Sequence, residues 1–295
     1  MRSKQSLHMK EGMLGIGFLV PSLVLFALFI FYPFIRSLYL SLQQTDLRGR
    51  TVKFVGLSNY TDLLTSEHFY HSLTVTCLFA LMTIPTTILI ALGLAPLTQQ
   101  RIKFTPVFQI IFAISLIIPI STSSVIWKLL FHPSLGIINY FLGFVGIRPV
   151  EWLTDPKMAL VSVSIVTVWS GIGFIYVVLL SGIRGISAEI YESATIDGAG
   201  VPTVIRKITP PLLSPTLFFV SVVSVIHSLQ SFGQFSILTD GGPAFATDVL
   251  VYDLYLEAFV NFRFGGGSAQ AIVLFVILLI FTLIQFRFER RVHYS

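Results

Sequence analysis

Between residues 182 and 210 the chain gathers polar and charged side chains that the long stretches on either side lack: Ser187, Glu189, Tyr191, Glu192, Asp197, Arg206 and Lys207. Ser187 is placed to act as an N-cap with Glu189 in the first turn, and Ile186, Ile190 and Ala194 recur every four residues. That spacing predicts a short amphipathic helix. Gly198 and Gly200 end it, Pro202 opens a second short helix, and the Pro210-Pro211 pair stops the second one. Two short helices joined by a glycine turn make a compact knob with an apolar stripe and acidic flanks, a shape suited to a groove on another protein. The alternative is a helix lying on lipid headgroups, against which Glu189, Glu192 and Asp197 would meet an anionic leaflet.

A second group of polar residues lies inside apolar runs. Ser221, Ser224, Ser228 and Ser231 recur at alternating steps of three and four, with His227, Gln230 and Gln234 on or beside the stripe. Polar groups are costly against lipid and face a bundle interior, so this stripe is a candidate solute path, and the amides of Gln230 and Gln234 suit hydroxyl-rich cargo. Helix packing through small residues explains the serines equally well. Thr167, Trp169, Ser170 and Tyr176 lie in another run with Gly171 and Gly173; the aromatics could stack on a sugar ring or serve as packing and interface anchors. Gly265-Gly266-Gly267-Ser268 reads as a hinge or loop, with anion binding as the rarer use, and the single Cys77 reads as a small core residue.

The elements that must position these residues follow from composition. Of 295 residues 54% are apolar or aromatic and 11% charged, with mean hydropathy +0.84. So few charges cannot cover a water-soluble surface, and the bilayer is the expected solvent. The net charge of +5 does not indicate nucleic acid, because the basic residues flank apolar spans instead of lining one face. Spans are expected at 13–35, 71–95, 105–131, 157–181, 211–237 and 269–287, giving an all-α integral membrane protein of about six transmembrane helices and a single transmembrane domain over 1–295. The first span resembles a signal peptide, but its length and the absence of a small-residue cleavage pattern before Tyr32-Pro33 favour an anchor.

With the N-terminus in the cytoplasm, the inner segments hold Arg2, Lys4, Lys10, Arg101, Lys103, Arg184, Arg206, Lys207, Arg287, Arg290 and Arg291, which is 11 of the 19 basic residues. Both termini are then cytoplasmic, and 182–210 is the one long inner segment.

The inner segment resembles the Glu-Ala-Ala signature of binding-protein-dependent ABC importer permeases, in which that triplet, a glycine and a later Ile-x-Leu-Pro form coupling helices. Glu192-Ser193-Ala194, Gly198 and Ile208-Thr209-Pro210-Pro211 keep its spacing, with Ser193 and Pro210 as departures. The phrase Glu189-Ile190-Tyr191-Glu192 to Asp197-Gly198-Ala199 is similar to the carbohydrate-uptake branch, apart from Ala188 where proline is usual. So are Phe54 to Tyr60, Gly136 to Asn139, and Leu238 to Pro243 with Thr247, while the C-terminal runs Ala269 to Arg287 and Arg291 to Tyr294 resemble in particular the first permease subunit of glycerol-3-phosphate and related sugar importers.

The resemblance implies a type I ABC importer permease fold in a bacterial inner membrane, a second homologous permease, two ATPase subunits and an extracytoplasmic solute-binding protein. It implies a coupling role for Glu189, Tyr191, Glu192, Ala194, Asp197, Gly198 and Ala199. The chain has no Gly-x-x-x-x-Gly-Lys-Ser/Thr loop, so it is expected to be no enzyme and to hold no cofactor itself, with ATP and Mg on the partner ATPases. The cargo is expected to be an oligosaccharide, a glycosylglycerol or glycerol-3-phosphate. The rival reading, an ion-coupled secondary transporter, calls for carboxylates within the membrane, whereas all fourteen acidic residues fall in expected loops or flanks. A membrane-embedded enzyme lacks support from any paired-carboxylate, metal or nucleophile motif.

Overall fold

The computed structural model describes residues 16–99 and 105–289. Arg2, Lys4, Lys10, Arg101, Lys103, Arg290 and Arg291, which carry much of the expected orientation, lie outside the described residues, as does the run Arg291 to Tyr294. Four described helices are long and apolar enough to cross a membrane, and six spans result when each of two bent helix pairs counts as one. The protein is therefore an all-α membrane protein of about six spans. The described residues form two compact units, one of residues up to 65 with 254–274, the other of 66–253 with the residues from 275 onward.

In the first unit, α1 (Ile16–Ser41) is apolar and unburied over its membrane window. Its turn at Ala27–Phe31 widens to the π form just ahead of Pro33, which has no N–H to give a regular turn. A small hairpin follows, β1 (Gln43–Thr45) antiparallel to β2 (Thr51–Phe54) with Gln43 opposite Phe54, then α2 (Ser58–Leu64). Asn59 donates to the carbonyls of Ser41 and Gln43, and the hydroxyls of Tyr60 and Ser41 lie 2.7 Å apart. Residues 265–267, expected as a hinge or loop, are instead the first turns of α13 (Phe264–Glu289). These glycines allow close approach: a Cβ on Gly265 would strike the Gln43 carbonyl, and one on Gly267 would lie 2.6 Å from the Ala258 methyl.

In the second unit, α3 (Glu67–Gln99) and α7 (Pro156–Arg184) are the long continuous helices. Ala91 and Ala95 of α3 are buried among Tyr176, Leu179 and Ile183 of α7, with Leu213 and Val220 completing the cluster. Small residues let the two backbones come close where lipid gives no hydrophobic force to join them. Gly182 serves the same end, since a Cβ there would lie 2.6 Å from the Thr216 hydroxyl. Cys77, expected in the core, is exposed, because the adjacent Thr76 and Phe79 occupy the inward face of α3.

Two expected spans are broken. The run 105–131 is α4 (Thr105–Ala113), a tight turn at Ile114–Leu116, and α5 (Ile120–Leu130), and the two halves meet at 100°. Pro119 sits at the break with ψ of 142°; it cannot donate the helical bond and it biases Ile118 away from helix. The fifth span is preceded by α9 (Val204–Leu212) and bends by 79° into α10 (Ser214–Leu229). The helix ends at Leu212, directly after the Pro210-Pro211 pair as expected, although a π turn at Val204–Ile208 carries helical structure through the prolines themselves. Beyond α10 comes α11 (Gly233–Leu238), and α12 (Leu250–Tyr255) leads through a further π turn towards α13. The remaining helices are α6 (Ile137–Phe144) and α8 (Ala188–Ile196).

Candidate functional site

The knob forms from local chemistry. The Ser187 side chain accepts from the Glu189 N–H at 3.3 Å, which caps α8. At the other end the Gly198 N–H bonds the Thr195 carbonyl and the Ala199 N–H bonds the Ala194 carbonyl, a paired motif that requires a left-handed residue between. Gly198 supplies it, with φ of +81°. The apolar stripe turns partly inward: Ala194 is buried and Ile186 packs on the core cluster, so the exposed face carries Glu189, Glu192, Asp197 and Ile196, the last 85% exposed. Tyr191 is half-buried, and its hydroxyl has no hydrogen-bond partner among the described residues.

Midway along the second unit lies a cavity of about 580 Å³. Thr83 and Thr87 reach it from α3, Thr167, Ser170 and Phe174 from α7, Ser224, His227 and Ser228 from α10, and Gln230, Ser231 and Gln234 from the residues that follow. The helix break at Leu229 creates this wall, because Gln230 ends α10 and Gln234 begins again in α11. The buried Gln234 amide donates to the Thr167 hydroxyl at 3.2 Å. Thr83 and Ser228 share a contact of 3.3 Å. Ser224 and Ser231 donate to the carbonyls of Val220 and His227, which leaves their oxygen lone pairs available as acceptors. Among the described lining residues there is no Asp, Glu, Lys or Arg, and His227 is the one titratable side chain. Between apolar side chains such as Ile84, Leu116, Ile120 and Phe232, the wall offers hydroxyl and amide hydrogen bonds without net charge, a mix that matches the polar edges and apolar faces of neutral polyhydroxy molecules.

The structure thus brings together Ser224, His227, Gln230, Ser231 and Gln234, and leaves Trp169 and Tyr176 elsewhere. Tyr176 is buried in the core, its hydroxyl 2.7 Å from that of Thr98 and its ring edge-on to Phe112. Trp169 packs edge-to-face on Trp127. Ser221 donates to the Phe218 carbonyl and does not line the cavity. Thr83 and Thr87 were not foreseen, although two threonines four apart in an apolar run share a helix face and satisfy their hydroxyls on the carbonyls of Phe79 and Thr83.

Residues 72–294 match the family described as the binding-protein-dependent transport system inner membrane component. The chain is 32% identical over 295 residues to the sn-glycerol-3-phosphate transport system permease protein UgpA of Agrobacterium fabrum, covering 99% of this chain and 100% of the relative. It is also 32% identical over 287 residues to the trehalose/maltose transport system permease protein MalF of Thermococcus litoralis, covering 96% of each. Among solved structures it overlays on a chain of a bacterial ABC transporter for the acidic polysaccharide alginate, with a TM-score of 0.85, 24% identity and coverage of 99% and 100%. A bacterial alginate ABC transporter in complex with an alginate pentasaccharide-bound periplasmic protein matches at a TM-score of 0.83 and 25% identity, over 96% of both chains.

Proposed function

Because the chain belongs to the binding-protein-dependent transport system inner membrane components, we propose that its cavity forms part of the solute path of an ATP-driven importer and that the 187–199 knob receives the stroke of a separate ATPase. It is a permease subunit of a sugar-class ABC importer, embedded in the inner membrane by several spans. The relatives are named for glycerol-3-phosphate and for trehalose and maltose, so the cargo is a sugar or sugar-like solute delivered by an extracytoplasmic binding protein. The uncharged hydroxyl and amide wall carries the reading, and its volume lies within the range usual for small-molecule sites. Ser224, His227, Gln230, Ser231 and Gln234 hold the cargo by hydrogen bonds as it passes.

The permease works with a second homologous permease and two ATPase subunits that bind ATP and Mg, and both termini are cytoplasmic so that the knob faces those ATPases. Glu189, Glu192, Asp197 and Ile196 supply the docking face, Ser187 and Gly198 fix its shape, and Ala194 ties it to the core. The lack of a carboxylate among the cavity residues weighs against the ion-coupled alternative.

Reconstituted with its partner permease, ATPase and binding protein in proteoliposomes, the permease should take up sugar only when hydrolysable Mg-ATP is present. Uptake driven by an ion gradient without the ATPase would overturn the reading. A thermal-shift screen of sugars and polyol phosphates on the cognate binding protein names the cargo.

A further inference from the structure

At the end of the second unit remote from the knob, where Ser72 and Thr76 of α3 bond Asp248 and Leu250, three metal-ligating side chains converge. His68 Nε2 lies 2.9 Å from Asp248 Oδ2 and 3.1 Å from Asp253 Oδ1, and the ligand atoms of the three residues all lie within 4.8 Å of one another. Separations of this size arise when one ion sits roughly 2.0–2.2 Å from each of several nitrogen and oxygen ligands.

A second observation is independent of that convergence. The Asp248 side chain is 1% exposed, and while Oδ2 faces His68 and accepts from the Ser72 hydroxyl at 3.2 Å, Oδ1 is buried with no hydrogen-bond partner among the described residues. A buried carboxylate oxygen without a donor is costly, and a bound cation removes that cost. Both oxygens hang from one carboxyl carbon, so an ion held by Oδ2 is within bidentate reach of Oδ1. Two carboxylates here face one imidazole. Burial first, and the Asp253 charge second, push the Asp248 carboxyl up to about 6, with His68, the Ser72 hydroxyl and His71 pulling the other way. His71 is engaged with the Phe245 carbonyl at 2.9 Å.

We propose that His68, Asp248 and Asp253 form a binding site for one divalent transition-metal ion, which pins residues 239–253, a loop and the start of α12, to the start of α3. Imidazole with carboxylates selects zinc-like ions over calcium or magnesium, which prefer oxygen alone. His68 is 41% exposed and Asp253 15%, which leaves one side open for the ion to arrive and for water to complete its coordination. On binding, His68 gives its Nε2 lone pair to the ion, and the proton held there moves to Nδ1 or to solvent. The loop so pinned follows α11, which carries Gln234, so the ion stiffens the support of one cavity wall.

The test uses the full chain in detergent, free of any polyhistidine tag and stripped with EDTA. Calorimetric titration with Zn2+ should find one strong site per chain, Co2+ should give a visible d–d band at the same stoichiometry, and Zn2+ should raise the melting midpoint. His68→Ala, at an exposed position, and Asp253→Asn, which keeps the side chain's size at a half-buried one, should fold with the parent midpoint in EDTA. They should weaken Zn2+ binding at least about tenfold and lose the Co2+ band, while Asp240→Asn in the same loop should leave both unchanged. If the parent chain binds no stoichiometric Zn2+ below about 1 mM, or if His68→Ala and Asp253→Asn bind as it does, the three side chains are an ion pair and the proposal fails.

Discussion

The knob at 187–199 and the cavity wall at 224–234 are both short polar segments in an apolar chain, but they are specified at different ranges. The knob closes on itself: Ser187 caps Glu189, and the carbonyls of Ala194 and Thr195 take the N–H groups of Ala199 and Gly198, all within thirteen residues. The cavity wall needs partners far away in sequence, with Gln234 bonding Thr167 and Ser228 meeting Thr83 at a separation of 145 residues. A self-contained knob can move as a rigid piece and transmit force, whereas a wall assembled from three helices changes shape when those helices shift. That division suits a machine in which one part is pushed and the other responds.

Charge reversal on the knob should separate the two regions most sharply. Glu192→Lys alters the exposed acidic face and touches nothing in the cavity. ATP-driven uptake in proteoliposomes should fall by roughly 5- to 150-fold, the usual range for a lost coupling between sites, with the melting midpoint unmoved. Uptake within twofold of the parent would remove Glu192 from the docking face. On the cavity side, Gln234→Leu deletes the amide and its bond to the Thr167 hydroxyl, which keeps its own bond to the Val163 carbonyl. The apparent affinity for cargo should weaken by about tenfold at unchanged ATPase activity, while Ser221→Ala, outside the cavity, should leave it alone. Equal losses in both variants would mean that the serine stripe acts by helix packing.

A gentler perturbation asks how rigid the knob must be. Gly198→Ala meets no steric obstacle, since nothing lies near its Cβ position, but it places a side chain at φ of +81°. The expected cost is roughly 1 kcal/mol of local stability, seen as faster hydrogen exchange at the Ala199 and Gly198 amides, with a smaller drop in uptake than Glu192→Lys causes. Unchanged exchange would show that the turn is held by the surrounding chain and not by its glycine.

The difference in range also explains what could be read from the sequence. Hydropathy marks the spans, because each needs its own apolar run, and caps and glycines mark the knob, because their bonds are local. Apolar character runs on through Pro119 and Leu229, so the two breaks that shape the middle of the second unit read in the sequence as continuous helix. The proline pair at 210–211 marks the 79° bend to within two residues, because a missing donor acts locally, while a widened turn upstream lets the helix include the prolines. Helical glycines at 265–267 read as a loop because their use, contact with Gln43 and Ala258, is tertiary. Asp248 looked like one more loop acid, and its burial beside His68 depends on a pairing across 180 positions that no local pattern encodes.

The smallest expected effect tests whether an aromatic in the second unit belongs to the wall or to the frame. Tyr176 lies in α7 among the core residues, with its hydroxyl 2.7 Å from the Thr98 hydroxyl, and it does not line the cavity. Tyr176→Phe keeps the ring and its edge-on contact with Phe112 and removes one buried hydrogen bond. Stability should fall by about 0.5–1.5 kcal/mol, and Thr98→Val added to it should cost less than the two changes summed, because the partners share that bond. Cargo affinity should stay at the parent value in both variants. A weakening confined to affinity, with no loss of melting midpoint, would place Tyr176 in contact with the solute and extend the path from the cavity along α7 towards the knob.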